Sequence, residues 1–177
     1  MKLRAKAYLR IAAEDWWEKY DIVDDFEEDL TRVRSLLNGK WGLVNKTGKE
    51  VVEPKYDAIG PFSQGLAKVQ LDDKWGFIDK QGEEVIPLKY DEVGEFRNGL
   101  APVELDGKYG YINKKGNEVV KPKYDEVKWF KEGFAKVWLN DKELLIDKQG
   151  REIPKKYLTA VMLGGDIDRI LEIEGSK

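Results

Sequence analysis

The sequence repeats with a period of 34 residues, and this period constrains the fold more than any local pattern. The segment at 74–91, KWGFIDKQGEEVIPLKYD, has related copies one period before it and one period after it. Four sets of residues recur at this interval: Trp41, Trp75 and Tyr109; Tyr56, Tyr90 and Tyr124; Phe62, Phe96 and Phe130; Gly65, Gly99 and Gly133. A fixed period of this size is typical of a repeat architecture, in which each unit stacks on its neighbours.

Each unit is predicted to consist of short strands joined by turns. Asp72-Asp73 and its two later equivalents follow an alternating strand, where a two-residue hairpin needs positive φ and therefore takes Asp, Asn or Gly. A longer turn ending in glycine recurs at 46–48, 80–82, 114–116 and 148–150. Trp75 and Phe77 point to one side of their strand and Ile78 to the other, so neighbouring units must cover both faces. Gly76 predicts close approach of a neighbouring backbone or ring.

The repeated segments KWGLVNKTG, KWGFIDKQG and KYGYINKKG, followed by EPKYD, PLKYD and KPKYD, resemble the bacterial WG repeat family. The resemblance covers residues 39–157 and implies a mainly β array of about four meander repeats with no catalytic residues. Tyr109 replaces the tryptophan in the third unit, and Glu143-Leu144 replaces the whole pair in the fourth. We expect an open twisted stack, because a 34-residue unit is short for a propeller blade of roughly 40 to 45 residues. A closed β-propeller is the alternative.

Two segments flank this array. In residues 1–38 the apolar residues follow helical steps, which predicts a helical hairpin over 3–19 and 22–37 that caps the array. The alternative is a degenerate repeat, in which Tyr20-Asp21 corresponds to Tyr56-Asp57. Residues 158–177 are predicted to form a closing strand near 169–173 or a tail.

The composition argues against most catalytic chemistry. The chain has no histidine and no cysteine, so it lacks the usual nucleophile pairs and zinc ligands. The net charge of -3 and the scattered basic residues give no footprint for nucleic acid. No apolar run is long enough to span a membrane, and we expect a cytoplasmic protein that is not an enzyme and has no cofactor or metal site. The repeated Asp57, Asp91 and Asp125 are candidates for a carboxylate hydrolase, but a turn residue that bonds its own backbone explains them better.

Trp129 and Trp138 are the candidate binding residues, because each replaces a small or polar residue of the other units. Exposed aromatic rings on a rigid scaffold are typical binding anchors. The alternative is that the C-terminal segment covers both rings. We predict a non-catalytic module that binds another protein, and the acidic segment 14–29 is compatible with an inhibitor or immunity-type protein. The alternative is a module that binds a carbohydrate or cell-wall polymer through a row of exposed rings.

Overall fold

The computed structural model describes residues 16–27, 29–154 and 156, and in these ranges it contains one short 3-10 helix (Trp16–Lys19) and four antiparallel sheets. Sheet 1 contains β1 (Tyr20–Val23), β2 (Leu30–Ser35), β3 (Trp41–Asn45) and β4 (Glu50–Tyr56). Sheet 2 contains β5 (Ala58–Ser63), β6 (Leu66–Leu71), β7 (Lys74–Ile78) and β8 (Glu84–Tyr90). Sheet 3 contains β9 (Glu92–Val93), β10 (Leu100–Leu105), β11 (Lys108–Asn113) and β12 (Glu118–Tyr124). Sheet 4 contains β13 (Glu126–Val127), β14 (Phe134–Leu139) and β15 (Lys142–Asp147).

Each sheet is a meander that corresponds to one repeat unit, and the sheets pack on one another in sequence order. Phe77 of sheet 2 lies in a hydrophobic cluster shared with sheet 3, whereas the next residue, Ile78, lies in a cluster shared with sheet 1. A third cluster joins sheets 3 and 4 through Tyr111 and Val137. The sheets do not form a closed barrel, which confirms the predicted array of β-meander repeats. Within the described ranges, no helix has the length and apolar character needed to cross a membrane.

The turn chemistry agrees with the sequence. Asp72 and Asp73 have φ of 50° and 61°, as a two-residue hairpin with positive φ requires. Gly76 faces a bulge in β8, and a β-carbon added there would lie 2.5 Å from the carbonyl oxygen of Ile86. The predicted close approach is therefore made by backbone of the next strand. Leu144 occupies the corresponding position in sheet 4. Among the described residues this sheet has three strands, and a single bridge between Ile146 and Glu152 lies where the other sheets have their fourth strand.

The predicted helix over 22–37 is wrong, and the degenerate repeat describes these residues instead. Leu30–Ser35 alternates between half-buried and buried side chains, and β2 pairs with β1 and β3. Apolar residues of β1, of β2 and of the turn between them recur by chance at steps of three and four, which imitates one face of a helix. Pairing within the sheet outweighs local helix propensity. Lys19 lies over the ring of Tyr20, as the repeat lysines lie over Tyr56, Tyr90 and Tyr124.

The other flanking predictions lie mostly outside the described residues. Of the predicted first helix over 3–19, only residues 16–19 are described, and they form the 3-10 helix. The predicted closing strand at 169–173 is not among the described residues.

Trp16 covers the outer face of sheet 1. In the later sheets the glycine of the longer turn packs on a β-branched residue of the preceding sheet, as Gly82 does on Val52. No preceding sheet contacts Gly48 among the described residues, and the Trp16 ring takes that place, with Cγ 2.3 Å from the position of an added β-carbon. Trp16 also packs against the cluster of Tyr20, Val33 and Val44.

The repeated aspartates clamp neighbouring sheets together. Oδ1 of Asp91 accepts a hydrogen bond from Nζ of Lys74 in sheet 2 at 2.5 Å, and Oδ2 accepts one from the backbone N–H of Asp106 in sheet 3 at 2.8 Å. Asp57 joins sheets 1 and 2 in this way, and Asp125 joins sheets 3 and 4. The prediction that the aspartate bonds its own backbone is wrong, because its carboxylate accepts a hydrogen bond from the hairpin of the next sheet.

These contacts make stability depend on pH in the acid range. Hydrogen bonding to lysine, followed by the backbone N–H, lowers the pKa of Asp57, Asp91 and Asp125 in the folded state. A lowered folded pKa gives stability that is present above the unfolded pKa of about 3.9 and is lost as pH falls through the folded value. We expect Asp91→Asn to lower the melting temperature at neutral pH and to differ less from wild type as the pH falls below about 3.9. Thermal unfolding followed by circular dichroism at several pH values measures this.

The matched control is Asp73→Asn, the same chemical change at a turn position where asparagine also tolerates positive φ. It should melt like wild type at each pH. An equal loss for both variants at neutral pH would show that the clamp contributes nothing specific.

Candidate binding site between sheets 3 and 4

Trp129 is a fixed but exposed ring at the junction of sheets 3 and 4. It is 37% exposed, whereas the other aromatic side chains of the described residues are buried or half-buried. Cη2 lies 2.8 Å from the position that a β-carbon on Gly94 would occupy, so glycine leaves room for the ring. The guanidinium of Arg97 lies 4.4 Å from the ring centroid, in cation-π contact. Sheet 3 therefore orients Trp129 without burying it.

Two grooves flank this ring. The first, called here the acidic groove, has a volume of about 410 Å³ and includes Glu92, Glu104, Tyr109, Asp125, Glu126 and Trp129 in its lining. The second, the lysine groove, has a volume of about 440 Å³ and includes Lys128, Trp129, Lys131, Phe134, Lys136 and Leu145. Trp129 and Lys128 line both grooves. Carboxylates outnumber the one lysine in the first groove, and lysines outnumber the one carboxylate, Glu132, in the second, so a ligand that covers the ring contacts surfaces of different charge.

The acidic groove contains carboxylates that lack a cationic partner. Asp125 pairs with Lys108 at 2.5 Å and Glu126 pairs with Lys128, but Glu92 and Glu104 have no ion pair among residues 16–27, 29–154 and 156. Hydrogen bonding to Glu104, then burial, then the charges of Glu104, Glu92 and Glu126 raise the pKa of Tyr109 to about 12. The hydroxyl of Tyr109 therefore stays protonated beside these carboxylates and donates its one hydrogen bond to Glu104.

Trp138 lies on the opposite face of sheet 4. Its neighbour Val137 packs toward sheet 3, and adjacent strand residues point to opposite faces. The structure therefore does not bring the two predicted binding residues together. Trp138 is half-buried and has the ammonium of Lys128 5.6 Å from its ring centroid.

Trp138 also has a structural explanation. It pairs across the strands with Glu143, whereas in sheet 2 the pair is Gln70 with Trp75. The positions of the aromatic and polar residues are exchanged, and cross-strand partners share a face. One tryptophan is thus kept on that face of the sheet although the fourth unit has lost its tryptophan-glycine pair. Comparison of the repeat units shows that Trp138 replaces a polar residue and that Glu143 replaces an aromatic one. Only the strand register shows that these two residues are cross-strand partners.

The comparisons with known proteins identify the repeat. The family model for the WG containing repeat matches three consecutive segments, at residues 41–75, 75–109 and 109–142. A comparison with curated proteins finds no match. Among solved structures, Kluyveromyces lactis Hsv2 with complete loop 6CD is 12% identical, with a TM-score of 0.45 over 77% of this chain and 50% of that chain. KlHsv2 with loop 6CD replaced by a Gly-Ser linker gives 12% identity and a TM-score of 0.46 over 77% of this chain and 52% of that one. The chain spans about half the length of these structures.

Two variants test whether Trp138 and Glu143 form an exchanged pair: one disrupts it, and the other restores the arrangement of sheet 2. Trp138→Glu places a third carboxylate in a cross-strand row with Glu126 and Glu143, and we expect it to lower the unfolding free energy by about 1 to 2 kcal/mol. The double variant Trp138→Gln with Glu143→Trp should return to within about 0.5 kcal/mol of wild type. Chemical denaturation of both variants measures the difference.

Trp138→Gln alone is the control, since it removes the ring without adding charge and should lie between the two. A Trp138→Glu protein with the stability of wild type would contradict the structural role of this ring.

Proposed function

Because the chain belongs to the WG containing repeat family, we propose that it is a non-catalytic module that binds another protein, with Trp129 as the anchor of the interface. The observation that carries this proposal is an exposed ring, held by Arg97 and Gly94, between two grooves. Tryptophan and arginine are the residues most enriched in the energetic centres of protein interfaces. A ring that is already oriented loses little conformational freedom on binding.

The differences between units support this location. The second and third units carry Pro61 and Glu95 where the fourth carries Trp129. A position that packing requires is the same in every unit, whereas this one changes to a large ring that remains exposed. The position is therefore free to serve contact with a partner.

The repeated aspartates support a module without catalysis. Each one is bonded to a lysine of its own sheet and to the backbone of the next sheet, so each already has a structural role. A catalytic carboxylate pair needs two such groups free to flank one bond of the substrate. The aspartates that were candidates for a hydrolase do not have this freedom.

The exposed surface favours a protein partner over a polysaccharide. Carbohydrate binding along a repeat array predicts a row of exposed rings, but within the described ranges the rings other than Trp129 are buried or half-buried. The proposal of an inhibitor that acts through the acidic segment 14–29 has weaker support. Asp21, Asp24 and Asp29 are each paired with a basic residue of sheet 1. In the acidic groove, by contrast, two carboxylates without an ion pair among the described residues line the same groove as the exposed ring of Trp129.

The test uses Trp129→Glu, which gives the fourth unit the residue that the third unit has at Glu95. Partners are captured from the source cell on the immobilised full chain, identified by mass spectrometry, purified, and titrated against wild type and variant. We expect the variant to bind at least about fivefold more weakly. Its unfolding free energy should stay within about 0.5 kcal/mol of wild type, because the ring is exposed.

The control is Leu37→Glu, which also replaces an exposed apolar residue by glutamate but in the first unit, where Leu37 is 96% exposed. It should bind like wild type. If Leu37→Glu loses the partner and Trp129→Glu retains it, the site is misplaced. If the full chain retains purified polysaccharide and no protein, the proposed function is wrong.

A further inference from the structure

The face of sheet 3 that lines the acidic groove differs in charge from the equivalent face of sheet 2. Strand register places Glu92, Pro102, Glu104 and Tyr109 of sheet 3 where sheet 2 has Ala58, Lys68, Gln70 and Trp75. Sheet 2 thus carries one ammonium on this face, and its Nζ lies 5.2 Å from the centroid of the Trp75 ring. Sheet 3 carries two carboxylates and no cation among these residues. The same backbone presents opposite charge at successive junctions.

The two carboxylates of sheet 3 stand in an unfavourable arrangement. Glu92 and Glu104 are direct partners across β9 and β10. Like charges directly opposite each other in an antiparallel pair are destabilising, and neither residue has a basic partner among the described residues. Sequences break such local rules mainly where function requires it. Both residues line the same groove as the ring of Trp129.

We infer that the acidic groove receives an arginine or lysine side chain from an extended segment of the partner protein. Glu92 and Glu104 supply the opposite charge, and their mutual repulsion is relieved when the cation lies between them. The rings of Tyr109 and Trp129 line the same groove and offer faces over which a guanidinium stacks. Arginine fits best, because its planar fork can bond both carboxylates at once. This inference rests on the proposed function and names the chemistry that the site recognises.

A cationic side chain fits this groove better than a metal ion does. The described residues include no group of three or more carboxylate, histidine or cysteine side chains arranged to hold a metal. Hard divalent ions need six or more oxygen ligands at short distance, and an arginine needs two. The groove has a volume of about 410 Å³, and Pro102 in its lining offers apolar surface for the aliphatic stem of a basic residue.

The substitutions in this experiment give sheet 3 the residues that sheet 2 has at the equivalent positions. Glu92→Ala with Glu104→Gln gives sheet 3 the uncharged residues of sheet 2, and Pro102→Lys separately adds the ammonium of sheet 2 while keeping both carboxylates. Each full-length variant is titrated with a fluorescein-labelled hexa-arginine peptide, and binding is followed by fluorescence anisotropy at low salt. We expect wild type to bind and both variants to bind at least about tenfold more weakly. The double variant should melt at or above the wild-type temperature, because a like-charge pair is removed.

The control is Glu53→Gln with Glu84→Gln, which changes net charge by the same amount at exposed positions on sheets 1 and 2. It should keep wild-type affinity within about twofold. The inference is overturned if wild type does not bind hexa-arginine, if the control weakens binding equally, or if hexa-glutamate binds as well. A melting temperature well below wild type for the double variant would show that the carboxylates are structural. If calcium displaces the peptide, and calcium binding is also lost in the Glu92→Ala, Glu104→Gln variant, the groove is a metal site instead.

Binding of the purified partner by the two variants distinguishes a failure of this inference from a failure of the proposed function. If Trp129→Glu loses the partner and the Glu92→Ala, Glu104→Gln variant keeps it, the interface is correct and the assigned chemistry is wrong. If both variants keep the partner, the interface itself is wrong, whatever hexa-arginine does.

Discussion

The third strand of each complete sheet is apolar on both faces, and covering these faces is the constraint on which the rest of the structure depends. Phe77 and Ile78 are adjacent and almost fully buried, one against sheet 3 and the other against sheet 1. Tyr111 and Ile112 divide in the same way between sheets 4 and 2. A sheet removed from the array would expose one of these faces, so the units are stable only as neighbours. The first sheet meets the same requirement with Trp16.

Two local contacts fix how the sheets stack. Gly82, Gly116 and Gly150 face β-branched side chains of the preceding sheet, with added β-carbons 2.5 to 3.3 Å from Val52, Ile86 and Val120. Each aspartate clamp joins a lysine of one sheet to the hairpin of the next. The two contacts lie on different turns of the unit, so together they restrict both spacing and rotation. This explains why the period stays constant at turns whose other residues vary.

Sequence reasoning predicted the parts of the fold that depend on the period and on turn chemistry. The hairpins, the close approach at Gly76 and the stacking of two-faced strands all follow from residue types at fixed positions. It failed at 22–37, because apolar residues in two short strands can have helical spacing by chance. It also missed the acidic groove. Glu92 and Glu104 are twelve positions apart, and only strand register shows that they are cross-strand partners. Likewise the comparison of repeat units identified Trp129 and Trp138 together, but the alternation of side chains along β14 turns Trp138 away from sheet 3, whereas Trp129 contacts sheet 3.

The junction between sheets 3 and 4 shows how one array position can change without altering the stack. At the previous junction the stem of Lys68 lies over Gly60, with Cγ 2.7 Å from an added β-carbon. At this junction Pro102 and the ring of Trp129 share the equivalent space over Gly94. The shorter proline leaves room for a ring from the next sheet, and it leaves the face that carries Glu92 and Glu104 without the ammonium that Lys68 supplies in sheet 2. The space for the exposed ring and the absence of a cation on this face therefore both follow from proline at position 102, which is the reason to assign the ring and the carboxylates to one site.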